Sequence, residues 1–234
     1  IAILSAAVFA PAQVAIGDLH GLQVARDQPV KVAAMEALWH TTAGAPFVLF
    51  AWPDAAVETN RYELAIPRAA SLILTHDLNG VVPGLNEVAP ADRPNVPWVF
   101  FSFRLMLAIG FYLLAVAAIG AVLWWRGRLY DSDWFHRLCI STIPLGFIAV
   151  IAGWLVAEIG RQPWAVYRLL RTADAATPLA SATVGASLAL IVRVYLILLV
   201  TFLYFAYRIV RSGPEHEIPE TVRHVPRTAW RLPG

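Results

Sequence analysis

Trp154, Glu158 and Arg161 are spaced i, i+4 and i+7. At 3.6 residues per turn they fall within a helical stripe of roughly 40°. In axial order the stripe offers an aromatic wall, a carboxylate and a guanidinium. Glu158 is the one charged residue in the apolar run from Leu138 to Gly160. A carboxylate inside a membrane-length apolar helix is expensive, and by default it marks a functional site. Pro163 ends the helix, because proline lacks the N–H and biases the residue before it away from helical geometry. The three groups suit a large planar anionic cofactor through metal ligation, stacking and pairing with a carboxylate rim. The same spacing suits a Glu158–Arg161 ion pair within the helix at the water interface. Spacing alone leaves both readings open.

Arg104 and Met106 lie early in another apolar run. A methionine thioether is an axial partner to histidine at low-spin haem iron, and it is also a common filler of core gaps. The planar fork of arginine matches a carboxylate such as a haem propionate. Arg104 could also snorkel to the interface from its place near the helix start. Lys31 and Glu36 sit in a polar stretch. They could handle a quinol hydroxyl or its proton, or simply form a solvated helix surface. Arg193 lies near the middle of a third apolar run, where it would pair with a carboxylate elsewhere or line a hydrated path. The six histidines all fall outside the complete apolar runs. If these runs hold haem, the histidine ligands must come from residues preceding Ile1. There is no HExxH, Walker loop, GxGxxG or nucleophile elbow, so soluble hydrolase and nucleotide-binding readings have no support.

These residues must be held by membrane helices. Of 234 residues, 59% are hydrophobic and 15% charged, against about 25% charged in soluble domains. The mean hydropathy is +0.61. A net charge of +2 gives no footprint for nucleic acid. The single cysteine, Cys139, excludes an internal disulfide and a multi-cysteine metal site. No basic segment precedes the apolar stretch 1–16, so it does not read as a signal peptide. It reads as the end of a transmembrane helix that begins before Ile1. The chain is therefore expected to be the C-terminal part of something longer.

The expected architecture is an all-α integral membrane protein, a helical bundle with one partial and three complete transmembrane helices plus a long extramembrane loop. The partial helix covers 1–16 and is broken by Gly17-Asp18-Leu19-His20-Gly21. The loop covers 17–97, with an amphipathic helix from Gln28 to Trp39 and otherwise little regular pattern. Connections this long are usually functional or mobile. The complete spans are 98–125, 138–160 and 179–209, joined by loops 126–137 and 161–178 and followed by a polar tail, 210–234. Trp98, Trp124 and Trp125 mark the ends of the first span as an aromatic belt does. Arg126, Arg128, Arg137, Arg208 and Arg211 crowd one side, which the positive-inside rule makes cytoplasmic. Arg161, Arg168 and Arg171 on the other side weigh against this. The long loop and the Glu158 motif would then face outward.

Three ordered blocks resemble the large subunit (subunit I) of cytochrome bd quinol oxidase. They are Gly17-Asp18 followed by Gln28-Pro29-Val30-Lys31-Val32-Ala33-Ala34-Met35-Glu36, then Ser102-Phe103-Arg104-Leu105-Met106, then Trp154 and Glu158 with Gly160-Arg161-Gln162-Pro163-Trp164. Arg211-Ser212-Gly213-Pro214 is similar to the family's ending of the last helix. The resemblance runs from about Gly17 to Pro214, and it implies roles. Glu158 would be an axial ligand of a high-spin haem, with Trp154 packed against the haems and Arg161 near a propionate. Met106 would ligate the low-spin haem b, whose charge Arg104 would stabilise. Lys31 and Glu36 would belong to a periplasmic quinol-oxidising loop, here in the family's shorter form. The implied cofactors are low-spin haem b, high-spin haem b, and haem d or a third haem b.

The implied substrates are membrane quinol and dioxygen. The implied partners are a second large membrane subunit, with or without a small single-helix subunit, and no nucleic acid. The implied setting is the bacterial cytoplasmic (inner) membrane, with a proton gradient built without pumping. Because the family's first helices and their histidine ligands are not in the chain, the expectation is a fragment of the catalytic subunit that is inactive alone. The competing reading is a non-enzymatic membrane scaffold or degenerate haem-binding fragment. A transporter would want an inverted repeat with broken helices, and none is visible.

Overall fold

The computed structural model describes residues 2–176 and 179–213. The chain forms two compact units, Ile1–Ala176 and Thr177–Gly234. Four helices are long and apolar enough to cross a membrane. Three belong to the first unit: α1 (Ala2–Asp27), α4 (Val96–Trp125) and α5 (Asp133–Ile159). The fourth, α6 (Ser181–Ser212), is the described part of the second unit. At 1.5 Å per residue even the shortest is about 39 Å long, more than the roughly 30 Å hydrocarbon core. The chain is a helical membrane protein, as its composition requires.

The expected helix ends need correction. The first helix does not stop at Ile16 but runs on through Gly17 and Gly21 to Asp27. An interior glycine costs only about 1 kcal/mol relative to alanine, and here α1 packs against α4. Residues 17–27 therefore belong to a long helix rather than to the loop. Helix α5 starts at Asp133, five residues before the apolar run, because its polar first turn only has to reach the interface. The polar tail lies outside the described residues from 214 onward.

The stretch 28–95 is more regular than its proline content suggests. Helix α2 (Pro29–Met35) is shorter than the Gln28–Trp39 helix expected there. It is followed by β1 (Thr42–Ala43), β2 (Phe47–Asp54), β3 (Thr59–Ile66), α3 (Ala69–Thr75) and β4 (Val81–Val82). Strands β2 and β3 form an antiparallel hairpin from Phe47↔Ile66 to Asp54↔Thr59, and β1 pairs with β4. After α5, β5 (Trp164–Val166) pairs with β6 (Leu170–Arg171).

One core joins these pieces. Val30, Ala33 and Ala34 of α2, Val48 and Ala51 of β2, Val96, Val99 and Phe100 of α4, and Val156 of α5 pack together. The layer formed by 28–95 therefore sits on the first turns of α4 and the last turns of α5. Asn95 caps α4 by accepting from the Trp98 amide at 3.4 Å. Asn60 stitches the hairpin to the end of α2: its amide donates to the Ala37 carbonyl at 3.0 Å, and its oxygen accepts from the Trp39 indole at 2.9 Å. Two neighbouring residues ahead of α4 hold further ties. Asp92 pairs with Arg171, and Arg93 with Glu58 at the hairpin tip at 2.6 Å.

Gly84 shows how tight this layer is. A Cβ there would lie 2.3 Å from the His40 carbonyl carbon and 2.5 Å from the Thr41 nitrogen. Both are backbone atoms that cannot rotate away. Gly84→Ala is expected to destabilise the layer by about 3 kcal/mol, at the upper end of ordinary overpacking. The Leu85–Leu38 and Asn86–Trp39 backbone bonds, 2.9 and 3.0 Å, would part. Limited proteolysis would detect this as new cleavage between 37 and 88. A native digestion pattern would contradict it.

Candidate functional site

Lys31 in helix α2 and Glu36, its C-cap residue, meet different partners. Pro29 starts the helix, where proline is favoured. It ends in a Schellman-type turn. The Leu38 amide bonds back to Ala33 O at 2.8 Å and the Ala37 amide to Ala34 O at 3.3 Å, with Ala37 at φ 50. This turn fixes Glu36 at the helix end and points it inward.

Glu36 is buried and accepts from Arg104 Nη2 at 2.7 Å. Arg104 comes from the third turn of α4. Its guanidinium carbon lies 4.5 Å from the Phe47 ring centroid, 4.9 Å from Phe100 and 5.2 Å from Phe103. Its Nε and Nη1 are buried without a hydrogen-bond partner. Burial pushes the Glu36 carboxyl above its usual range, and the Arg104 cation and hydrogen bond oppose this without cancelling it. The sequence suggested separate roles for Glu36 and Arg104. The structure joins them across 68 residues in one buried pair.

Lys31 faces the C-terminal end of α5. A Cβ on Gly160 would stand 3.0 Å from Lys31 Cγ, so the lysine stem packs closely on this helix end. Half-burial pushes the Lys31 ammonium below its usual range. The Arg161 charge adds to this and Glu158 partly counters it. On α5, Arg161 Nη2 donates to Glu158 Oε2, and both side chains are a little under half exposed. Trp154 stands on the same stripe, 63% exposed. The ion pair that the spacing allowed is therefore formed, while the carboxylate and the indole stay open to a further ligand. Lys31, Glu158 and Arg161 come together at one helix end, which the sequence did not show.

Met106 lies at the α4–α5 seam, its Sδ 3.0 Å from where a Cβ on Gly153 would be. Among the described residues no three His, Cys, Asp or Glu side chains converge as a metal cage. Sequence reasoning missed Tyr167, whose hydroxyl is buried without a partner beside the core of α2, α4 and α5. It also missed Arg171, which pairs with Asp92 and lies 5.0 Å over the Trp164 ring. Nothing local marked either one. In the second unit, the described residues 179–213 contain no acidic residue that could pair with Arg193.

The family model for cytochrome bd terminal oxidase subunit I matches residues 1–214. The chain belongs to this family. Cytochrome bd-II ubiquinol oxidase subunit 1 of Escherichia coli (strain K12) is 30% identical over 265 residues, covering 85% of this chain and 52% of that protein. Cytochrome bd ubiquinol oxidase subunit 1 of Bacillus subtilis (strain 168) is 32% identical over 214 residues, covering 86% of this chain and 45% of that protein. Among solved structures, the bd oxidase from Geobacillus thermodenitrificans superposes with a TM-score of 0.75 at 34% identity, over 89% of this chain and 48% of that chain. The chain thus spans about half the length of the relatives it matches. The expectation drawn from its three sequence blocks is met at the level of family, fold and membrane character.

Proposed function

We propose that this chain supplies one half of the catalytic subunit of a quinol:dioxygen oxidoreductase in the bacterial inner membrane. The observation that carries the reading is the buried Arg104, which pairs with Glu36 and keeps two nitrogens, Nε and Nη1, without partners. Buried donors left unpaired are costly, so they point to an acceptor supplied from outside the chain. A haem propionate or a quinol oxygen fits. The other residues fit as well: Trp154 is open, and Glu158 and Arg161 are accessible from one face. A bound haem would supply the electron-transfer chemistry between quinol and dioxygen.

In this reading Met106 holds the low-spin haem b and Arg104 balances its charge. Glu158 holds the high-spin haem, Trp154 packs against the haems, and Arg161 binds a propionate. Haem d or a third haem b completes the set. Lys31 and Glu36 bind the quinol. Glu36 keeps a proton more tightly than a free carboxylate, which suits an acceptor for the quinol hydroxyl proton. The layer between α1 and α4 faces the periplasm and the 126–137 turn faces the cytoplasm. Protons released outside and taken up from inside then build a gradient without pumping. Turnover needs a second large subunit, with or without a small single-helix subunit, and the histidine ligands of the complete subunit.

The test is a reduced-minus-oxidised visible spectrum of membranes carrying the complete gene, native against Met106→Leu. The low-spin haem b band should disappear, quinol oxidase activity should fall to background, and the high-spin features should remain. An unchanged spectrum would remove Met106 as a ligand. No haem bands in either sample would sink the oxidase and leave the scaffold.

A further inference from the structure

The outward face of the β2–β3 hairpin is aromatic and unpartnered within the first unit. Phe50 is 52% exposed, Trp52 59% and Leu64, which pairs with Phe50, 62%. The Trp52 ring lies 5.4 Å from Phe101 and the Phe50 ring 6.5 Å from it. Phe101 is in the second turn of α4, on one stripe with Trp98 and Leu105, which are themselves exposed. The hairpin aromatics therefore continue the apolar flank of a membrane-spanning helix at the level of its first turns. The strand ends beyond these aromatics are polar: Arg61 pairs with Asp54 at 2.6 Å, beside Thr59 and Asn60.

An exposed apolar patch with a polar rim marks an interaction surface. Two features say which surface. Helix-to-helix contacts in membranes favour small residues, and none stands among Phe50, Trp52 and Leu64. Aromatic side chains at the end of a span are the composition of the membrane–water interface. We propose that the β2–β3 hairpin lies on the lipid bilayer, with Phe50 and Trp52 set into the headgroup–acyl boundary beside Phe101. This anchors the layer that carries Lys31 and Glu36. The proposal rests on α4 spanning the membrane and not on quinol oxidation.

The test is site-directed spin labelling of the intact oxidase in phosphatidylcholine liposomes. Trp52→Cys and Phe50→Cys would be made separately, with Cys139→Ser and any other reactive cysteine of the complete subunit replaced. Asn79→Cys, at an exposed turn, serves as the aqueous reference. Collision of the nitroxide with oxygen is compared with collision with a water-soluble nickel chelate. The oxygen-to-nickel accessibility ratio at 52 and 50 should exceed that at 79 several-fold. A ratio equal to that at 79 would place the face in water and overturn the proposal. Exclusion of both probes would show a protein cover and overturn it equally. Quinol oxidase activity, assayed in parallel, reports on the catalytic reading separately.

Discussion

In membranes carrying the complete oxidase with Glu158→Gln, the high-spin haem features are expected to be lost and the low-spin haem b band retained. Glutamine keeps the shape and removes the charge, so the substitution asks whether the carboxylate does more than pair with Arg161. The magnitudes separate the two roles. A half-exposed i, i+3 pair contributes about 0.2–0.5 kcal/mol. Its loss would shift melting slightly and leave every visible band in place. An iron ligand is all or none at the level of the spectrum. Identical spectra for native and variant would return Glu158 to the ion pair alone. Arg161→Leu is the companion measurement. It breaks the same pair but keeps the carboxylate, so it should spare the high-spin bands while weakening haem retention in detergent.

Arg104→Leu is expected to have the largest effect on stability. Removing one partner of a buried ion pair costs about 3–5 kcal/mol, because the other charge is left uncompensated. Here that charge is Glu36. Burial already raises its proton affinity, and Arg104 is what holds the rise in check. Without Arg104 the folded-state value climbs further above the ordinary 4.5. A raised carboxyl stabilises the fold fully below its unfolded value, and that contribution is lost as pH rises through the folded value. The deficit of Arg104→Leu should therefore be small in acid and grow toward neutral pH. Adding Glu36→Gln should flatten the dependence and recover part of the stability. Thermal melting of the solubilised complete oxidase across that pH range measures both. A deficit that is the same at every pH, or that Glu36→Gln fails to relieve, would mean Glu36 is not the residue left stranded.

What the sequence revealed follows the range of the interactions. Three spans were legible because length and hydropathy are local properties. Glu158 and Arg161 were legible as a possible pair because they are three residues apart. The end of α1 was misread because an interior glycine costs a helix only about 1 kcal/mol and does not by itself end it. The sheet pieces between 42 and 82 escaped notice for a related reason. Two strands are only two residues long, and the β2–β3 hairpin shifts register twice between Val48 and Trp52, which blurs any alternation. The Glu36–Arg104 pair and the meeting of Lys31 with Gly160 are tertiary facts, and no spacing rule reaches them. The family resemblance brought those four residues forward for other reasons, without the contacts.

The neighbouring residues Asp92 and Arg93 have a consequence for how the layer formed by 28–95 opens. One holds Arg171 in the turn after α5 and the other holds Glu58 at the hairpin tip, and both stand just ahead of α4. Neither flanking segment can lift away without disturbing the same short step of backbone. Their amides should then exchange with solvent as one cooperative unit, with a shared opening free energy. Added salt should lower that free energy for the hairpin and the β5–β6 turn by the same amount.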